Sequence, residues 1–302
     1  MRTADLFAGC GGSTTGAVQA GAHVVWAANH WRAAVDCHAA NHPTVEHACQ
    51  DLQQASWSKV PAHDLLLGSP SCTGHTPARG KEQPHHDAAR STAWAVVSCA
   101  EHHRPALVVV ENVPAFRRWA LYPAWTMAMR ALGYALREHI INAADVGVPQ
   151  SRDRLYVVAS RSIFAPDIGR PQEDRRPASD VVDWSSGSWS LVDRPGRAAS
   201  TLARIQEGRR TLGDRFLLAF YGSERGGRSL AKPLGTVTTR DRFALVDGDR
   251  MRMLLPDEYR RAQGFPDGYQ LPADPKLAVH LLGNANPPPV ARWIVSRLMA
   301  IA

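Results

Sequence analysis

Three short segments of this chain carry side chains whose types and positions could do chemistry together. In LLLGSPSCTGHTPARG, Leu65 to Gly80, an apolar run ends at Gly68 and Cys72 follows in a stretch that Pro70 stiffens. A cysteine just past the carboxyl end of a strand lies where open α/β sheets bind ligands, and its thiolate is a nucleophile. The same residue type also serves as a small buried hydrophobe. In LVVVENV, Leu107 to Val113, an apolar run leads into Glu111. Apolar surroundings raise a carboxyl pKa and suit it to protonating a base, although a glutamate here can also cap a helix. In QSRDRLYVV, Gln150 to Val158, Arg152 and Arg154 alternate onto one face of a strand start. Such a pair suits an oxyanion or phosphate, or orients a neighbouring carboxylate, and would favour a nearby thiolate.

Two further segments could hold a cofactor. DLFAGCGG, Asp5 to Gly12, runs from a strand straight into a glycine cluster. Glycines there let the backbone approach a ligand, and the helix that follows offers free N–H groups. A tight turn without a ligand looks the same. GNANPPPVARW, Gly283 to Trp293, has three consecutive prolines, stiff enough to form a shaped wall before a terminal helix. His75, His85 and His86 lie near Cys72 without a recognisable metal-ligand spacing, so no metal is expected and these read as solvated loop histidines. Gly74, Gly80 and the polar run to His86 predict a loop that closes over a substrate.

The elements that must position these side chains follow from periodicity. Strands are expected at residues 3–8, 23–28, 64–68, 106–111, 135–141 and 154–159, and helices at 31–41, 91–102 and 123–132. Alternation of this kind predicts a mainly parallel sheet covered by helices on both faces. From residue 162 to about 272 Pro, Gly, Arg and Ser become frequent and periodicity weakens, with short strands at 216–221 and 243–246. The expected organisation is therefore 1–161, a smaller irregular β-rich domain at 162–272, and a segment at 273–302 that returns to the first domain.

Composition narrows the class. Net charge is +7, from 35 basic and 28 acidic residues, and the basic excess gathers between Arg194 and Arg261, which fits a polyanionic partner. The five cysteines, Cys10, Cys37, Cys49, Cys72 and Cys99, are odd in number and form no CxxC pair, against a disulfide framework or a structural zinc site. No apolar run approaches the roughly 18 residues of a membrane span, and the first residues lack a signal-peptide pattern. A cytoplasmic location is expected.

In their order and spacing, these segments resemble the cytosine-C5 DNA methyltransferase family. DLFAGCGG is similar to its cofactor loop, SPSC to its nucleophile turn, ENV to its acid motif and QSRDR to its arginine motif. RRAQGFP, Arg260 to Pro266, resembles the segment following its target-recognition region, and GNANPPPVA its C-terminal cofactor motif. The resemblance implies a Rossmann-like, S-adenosylmethionine-dependent fold with a target-recognition domain, double-stranded DNA as partner, and base flipping. It implies Cys72 as nucleophile, Glu111 as the acid at N3 of cytosine, and Arg152 and Arg154 as residues that position the base. For the cofactor it implies Asp5, Phe7, Ala8, Gly9, Gly11 and Gly12, then Asn29 or His30, Asp51, Leu52, Pro70, Asn284 and Asn286. A monomer is expected, and a cognate restriction endonuclease is a partner that the resemblance allows.

Two departures from the family pattern stand out. Ser71 occupies the position directly before the cysteine, where the family has proline, and the second strand ends in AANHW without the glutamate that binds ribose. Three other readings compete: a transfer-RNA cytosine methyltransferase, a catalytically silent DNA-binding relative, and a nicotinamide dehydrogenase. The last fails, because the glycines do not form GxGxxG and no acidic residue follows the second strand.

Overall fold

The computed structural model describes residues 1–75, 85–221 and 225–301. Of the expected closing loop, residues 76–84, Gly80 among them, lie outside the described residues. Strands β1 (Arg2–Leu6), β2 (His23–Asn29), β3 (Glu46–Cys49), β4 (Leu65–Gly68), β5 (Leu107–Asn112), β6 (Ala135–Asn142) and β7 (Asp153–Ser160) form one sheet in the order β3-β2-β1-β4-β5-β7-β6. The pairings among β1 to β5 are parallel, whereas β7 runs antiparallel to both β5 and β6. Helices α1 (Gly12–Gln19), α2 (Arg32–Asn41), α3 (His85–Ser91), α4 (Trp94–His103) and α5 (Tyr122–Ala131) connect them. The central strands β4 and β5 are almost wholly buried, which is why they read as continuous aliphatic runs.

Strand β3 was not expected, because EHAC is short and largely polar and carries no alternation. The helix expected at 91–102 breaks at Thr92 and Ala93 into α3 and α4. The fold also buries a chain of polar groups beneath the glycine loop. Thr14 donates to Asp5 Oδ2 (2.7 Å), so His38 Nε2, at 3.0 Å from the same hydroxyl, must donate to it, and His38 Nδ1 accepts from His47 (2.8 Å). Burial pushes His38 down to about 3, in keeping with a neutral ring in this chain.

A second, antiparallel sheet has the order β8-β11-β10-β9, from β8 (Ser190–Leu191), β9 (Arg215–Ala219), β10 (Phe243–Asp247) and β11 (Arg250–Met253). A 14-residue helix, α6 (Ala199–Leu212), lies inside this region; its apolar stripe is too narrow to stand out from its arginines and polar residues. Helices α7 (Pro256–Ala262), α8 (Pro275–Asn284) and α9 (Pro288–Ile301) follow. The last packs on α1, an approach that two glycines permit: a Cβ at Gly12 would sit 2.0 Å from the Asn286 carbonyl oxygen, and one at Gly16 2.3 Å from that of Pro288.

Between β11 and α7 lies a fully buried ion pair. Arg252 meets Glu258 at 2.7 and 2.8 Å, with side chains 2% and 0% exposed, and Glu258 also accepts from the Leu255 and Asp183 amides. Removing one partner of such a pair strands the other charge. Glu258→Ala is expected to destabilise the protein by about 3–5 kcal/mol in urea unfolding, and Glu258→Gln, which keeps an acceptor oxygen, by less.

Candidate active site

The parallel strands deliver their carboxyl ends to one edge, and the glycine loop occupies its centre. Phe7 (φ 59°) and Gly9 (φ 56°) take left-handed conformations, as does Gly11 (φ 99°), which caps α1. A non-glycine residue in that conformation is strained and marks a shape the loop is held to. A Cβ at Gly9 would meet nothing within 4 Å, so this part of the loop faces open space. Phe7 and Ala8 are half-buried beside it. Gly12, by contrast, is spent on close packing against residue 286. Asp5 is wholly buried, and burial pushes its carboxyl up to about 7; its Thr14 contact ties β1 to the first turn of α1.

The other expected cofactor residues fall into two groups. At the ends of the neighbouring strands, Asn29 accepts from the Trp31 amide (3.0 Å), His30 is exposed, and exposed Asp51 accepts from the Gln53 amide (3.0 Å). Asn284 is exposed at the end of α8. Leu52, Pro70 and Asn286 are buried, as is Asn29, with Leu52 in the main core. Asn286 bridges Tyr156 (2.7 Å) and Ser13 (3.1 Å), and so ties β7 to α1.

Next along the same edge, Ser69 hydrogen-bonds back to Leu6 (3.1 Å) and Cys72 follows, partly buried. Strand β5 brings Glu111 there by its carboxyl end. Because β7 is antiparallel, it brings Arg154 to the same edge by its amino end. Register pairs Glu111 with Tyr156, and Arg154, two residues earlier, shares that face. Glu111 Oε1 lies 3.0 Å from Arg154 Nε, both side chains 13% exposed. The apolar run before Glu111 thus ends not in wholly apolar surroundings but at a guanidinium, which orients the carboxylate.

Burial pushes the Cys72 thiol above its ordinary value of 9.0, and the Glu111 charge adds to this; Arg154 and Arg152 pull the other way. Both arginines favour the thiolate, but desolvation of the sulfur outweighs them in the free protein.

Arg152 is placed differently from Arg154. Its guanidinium donates to the carbonyls of Val237 (2.9 Å), Gly283 (3.0 Å) and Ala285 (3.1 Å). Burial lowers its pKa to about 9. Its neighbour Gln150 accepts from the Val237 amide (2.7 Å) and donates to Gln263 (2.9 Å). These two residues brace the segments after β9 and α8 against the first sheet, whereas Arg154 faces the cysteine edge.

Sequence reasoning missed two contributors, Asn112 and Thr92, and misread a third, His75. Asn112 donates to the Pro70 carbonyl (3.0 Å), and the Thr92 hydroxyl accepts from the Ser71 amide (3.0 Å). His75 is buried, not solvated, with its ring edge-on to Phe116 (4.9 Å) and Trp119 (5.7 Å). Only the adjacency of Asn112 to Glu111 signalled any of these beforehand. Among the described residues no group of three or more His, Cys, Asp or Glu comes together as a metal site, and no helix is long and apolar enough to cross a membrane.

Comparison with known proteins agrees with this geometry. The type II methyltransferase M.HgiDI of Herpetosiphon aurantiacus is 27% identical over 303 residues, covering 99% of this chain and 94% of the relative. M.HhaI of Haemophilus parahaemolyticus is 25% identical, covering 94% and 90%. Among solved structures, the Dnmt2 methyltransferase of S. pombe superposes with a TM-score of 0.69 at 18% identity over 100% of this chain and 98% of that one, a likeness of fold. The family of C-5 cytosine-specific DNA methylases matches residues 1–180 and 202–300. With its cysteine, glutamate and arginine motifs on the sheet edge beside a glycine loop, this chain belongs to the C-5 cytosine-specific DNA methylase family.

Proposed function

We propose that this enzyme transfers a methyl group from S-adenosylmethionine to carbon 5 of a flipped cytosine in a specific duplex DNA sequence, with Cys72 as covalent nucleophile. The observation that carries the reading is the Glu111–Arg154 ion pair at 3.0 Å beside Cys72, on the sheet edge that also holds the glycine loop.

The loop fits the cofactor. Open space in front of Gly9 and the left-handed turns at Phe7, Gly9 and Gly11 suit a ligand lying across β1 and β2. Asn29 or His30 would take the ribose, and Asp51 the adenine amino group; neither Asn29 nor His30 offers the charge-assisted hydrogen bond of a carboxylate. Bound there, S-adenosylmethionine supplies an electrophilic methyl group on a sulfonium.

Carbon 5 of cytosine is too weak a nucleophile to take that methyl unaided. Cys72, its proton lost to solvent, adds through sulfur to carbon 6, which makes carbon 5 an enamine carbon. Glu111, which takes up a proton from solvent as the base enters, donates it to N3 as negative charge develops there, and Arg154 holds Glu111 and the base carbonyl oxygen. Once carbon 5 carries the methyl group, its proton is lost to solvent, Cys72 leaves as thiolate and N3 returns its proton to Glu111, which restores the ring. Arg152, braced by three carbonyls, contributes its charge from behind.

The target carbon is inaccessible inside a duplex, so the base must leave the stack, which costs a few kcal/mol. Phosphate contacts would offset that cost. We assign catalysis and cofactor binding to 1–161, target recognition to 162–272, and the return to 273–302. In that middle segment the exposed arginines, among them Arg194, Arg210, Arg225 and Arg240, can divide their charges between phosphates and guanine edges. We further infer that the protein acts as a cytoplasmic monomer. The type II names of its relatives make a cognate restriction endonuclease the partner to look for.

Bisulfite or nanopore sequencing of DNA from cells expressing the protein is expected to reveal one methylated motif. Methylation of transfer RNA and not of duplex DNA would overturn the DNA reading. Duplex carrying 5-fluorocytosine in that motif should trap a denaturation-stable adduct with the native protein and none with Cys72→Ala. Glu111→Gln should slow methyl transfer about 100-fold or more, with DNA binding retained.

The raised thiol sets a pH dependence. Below its pKa the thiolate fraction rises with pH, so alkylation of Cys72 by iodoacetamide, read by mass spectrometry, is expected to accelerate about tenfold per pH unit from about 7 to 9. A plateau below pH 7 would mean that the arginines prevail over burial.

A further inference from the structure

The position before the nucleophile, Ser71, brings with it a backbone N–H that proline would lack. That N–H is not left to solvent. It donates to the Thr92 hydroxyl at 3.0 Å. Thr92 sits in the break between α3 and α4, and its own hydroxyl proton goes to the Ala89 carbonyl (2.7 Å). A hydroxyl has one proton to give, so with that proton committed a lone pair is left for Ser71.

The other polar atom of the same peptide unit is also held. The Pro70 carbonyl accepts from Asn112 Nδ2 at 3.0 Å, and Asn112 is itself fixed, because its Oδ1 accepts from the Val113 amide (2.8 Å). The C=O and N–H of a trans peptide point to opposite sides. The Pro70–Ser71 plane is therefore gripped from both flanks, by β5 on one side and by the helix break on the other. Rotation of this plane swings everything that follows it, and the next residue is Cys72.

We propose that Thr92 is a positioning residue for the nucleophile: its hydroxyl, with Asn112 opposite, locks the Pro70–Ser71 peptide and so replaces the rigidity that a proline at 71 would supply. This rests on Cys72 being the nucleophile. Thr92 touches neither base nor cofactor in this account; it acts through the backbone alone. A serine at 71 is tolerated because a hydroxyl stands where its N–H points.

The pairing is testable because proline needs no acceptor. Thr92→Val keeps the shape and removes the hydroxyl; Thr92→Ser keeps the hydroxyl; Ser71→Pro removes the N–H. The measurement is the single-turnover rate of adduct formation with 5-fluorocytosine duplex at saturating DNA and S-adenosylmethionine, alongside DNA affinity, thermal melting and amide exchange at Ser71. Thr92→Val is expected to slow the adduct step about tenfold with DNA affinity unchanged, and to expose the Ser71 amide to exchange. Thr92→Ser should stay within about twofold of the native rate, and the double variant Ser71→Pro with Thr92→Val should recover most of the loss, as coupled residues do.

An unchanged rate in Thr92→Val overturns the proposal. So does an equal loss in both backgrounds, which would mean that Thr92 only supports the helix break. If the native protein itself forms no adduct while Ser71 is protected from exchange, the assignment of Cys72 has failed, and the clamp falls with it as a catalytic device. Loss of the native signal thus separates failure of that assignment from failure of the clamp.

Discussion

The antiparallel pairing of β7 with β5 is the constraint on which the site depends. A strand that ran parallel would bring its start to the far edge of the sheet, and the arginines of QSRDR would lie a strand length away from Glu111. Reversed, β7 sets Arg154 on the face that Glu111 shares, within 3.0 Å. Four parallel pairings then deliver the glycine loop, the cysteine turn and the glutamate to the same edge. One strand direction turns scattered motifs into a constellation.

Around that edge the fold uses polar side chains as braces more than as contacts for ligands. Arg152, Gln150 and Asn286 were legible as members of functional motifs, and each is consumed by internal hydrogen bonds that join distant parts of the chain. Arg152 and Gln150 link the first sheet to the segments after β9 and α8, and Asn286 links β7 to α1. The glycines divide likewise: Gly9 faces open space, while Gly12 and Gly16 let the C-terminal segment approach α1. A motif therefore marks residues that build a site as readily as residues that act in it.

Electrostatics at the cysteine shows the cost of enclosure. Two guanidinium groups act on Cys72, yet burial still raises its thiol, because losing water around a prospective sulfur anion outweighs charges that are shared with Glu111 or stand behind carbonyls. The turn that carries Cys72 must then be held by something other than charge, and the two-sided grip on the Pro70–Ser71 peptide does this by geometry.

Much was legible from the chain alone. Aliphatic runs ending in Gly68 and Glu111, a glycine cluster after the first strand, and arginines at alternate positions determined the α/β class and which side chains to watch, because these depend on local periodicity. What the chain could not express was direction and distance. The sense of β7, the strand hidden in polar EHAC, the narrow-striped helix α6, and the burial of His75 against Phe116 arise from contacts between residues far apart in sequence. So does the hydroxyl of Thr92 against Ser71, 21 positions away. Such contacts are paid for by tertiary packing, so only the assembled fold decides them.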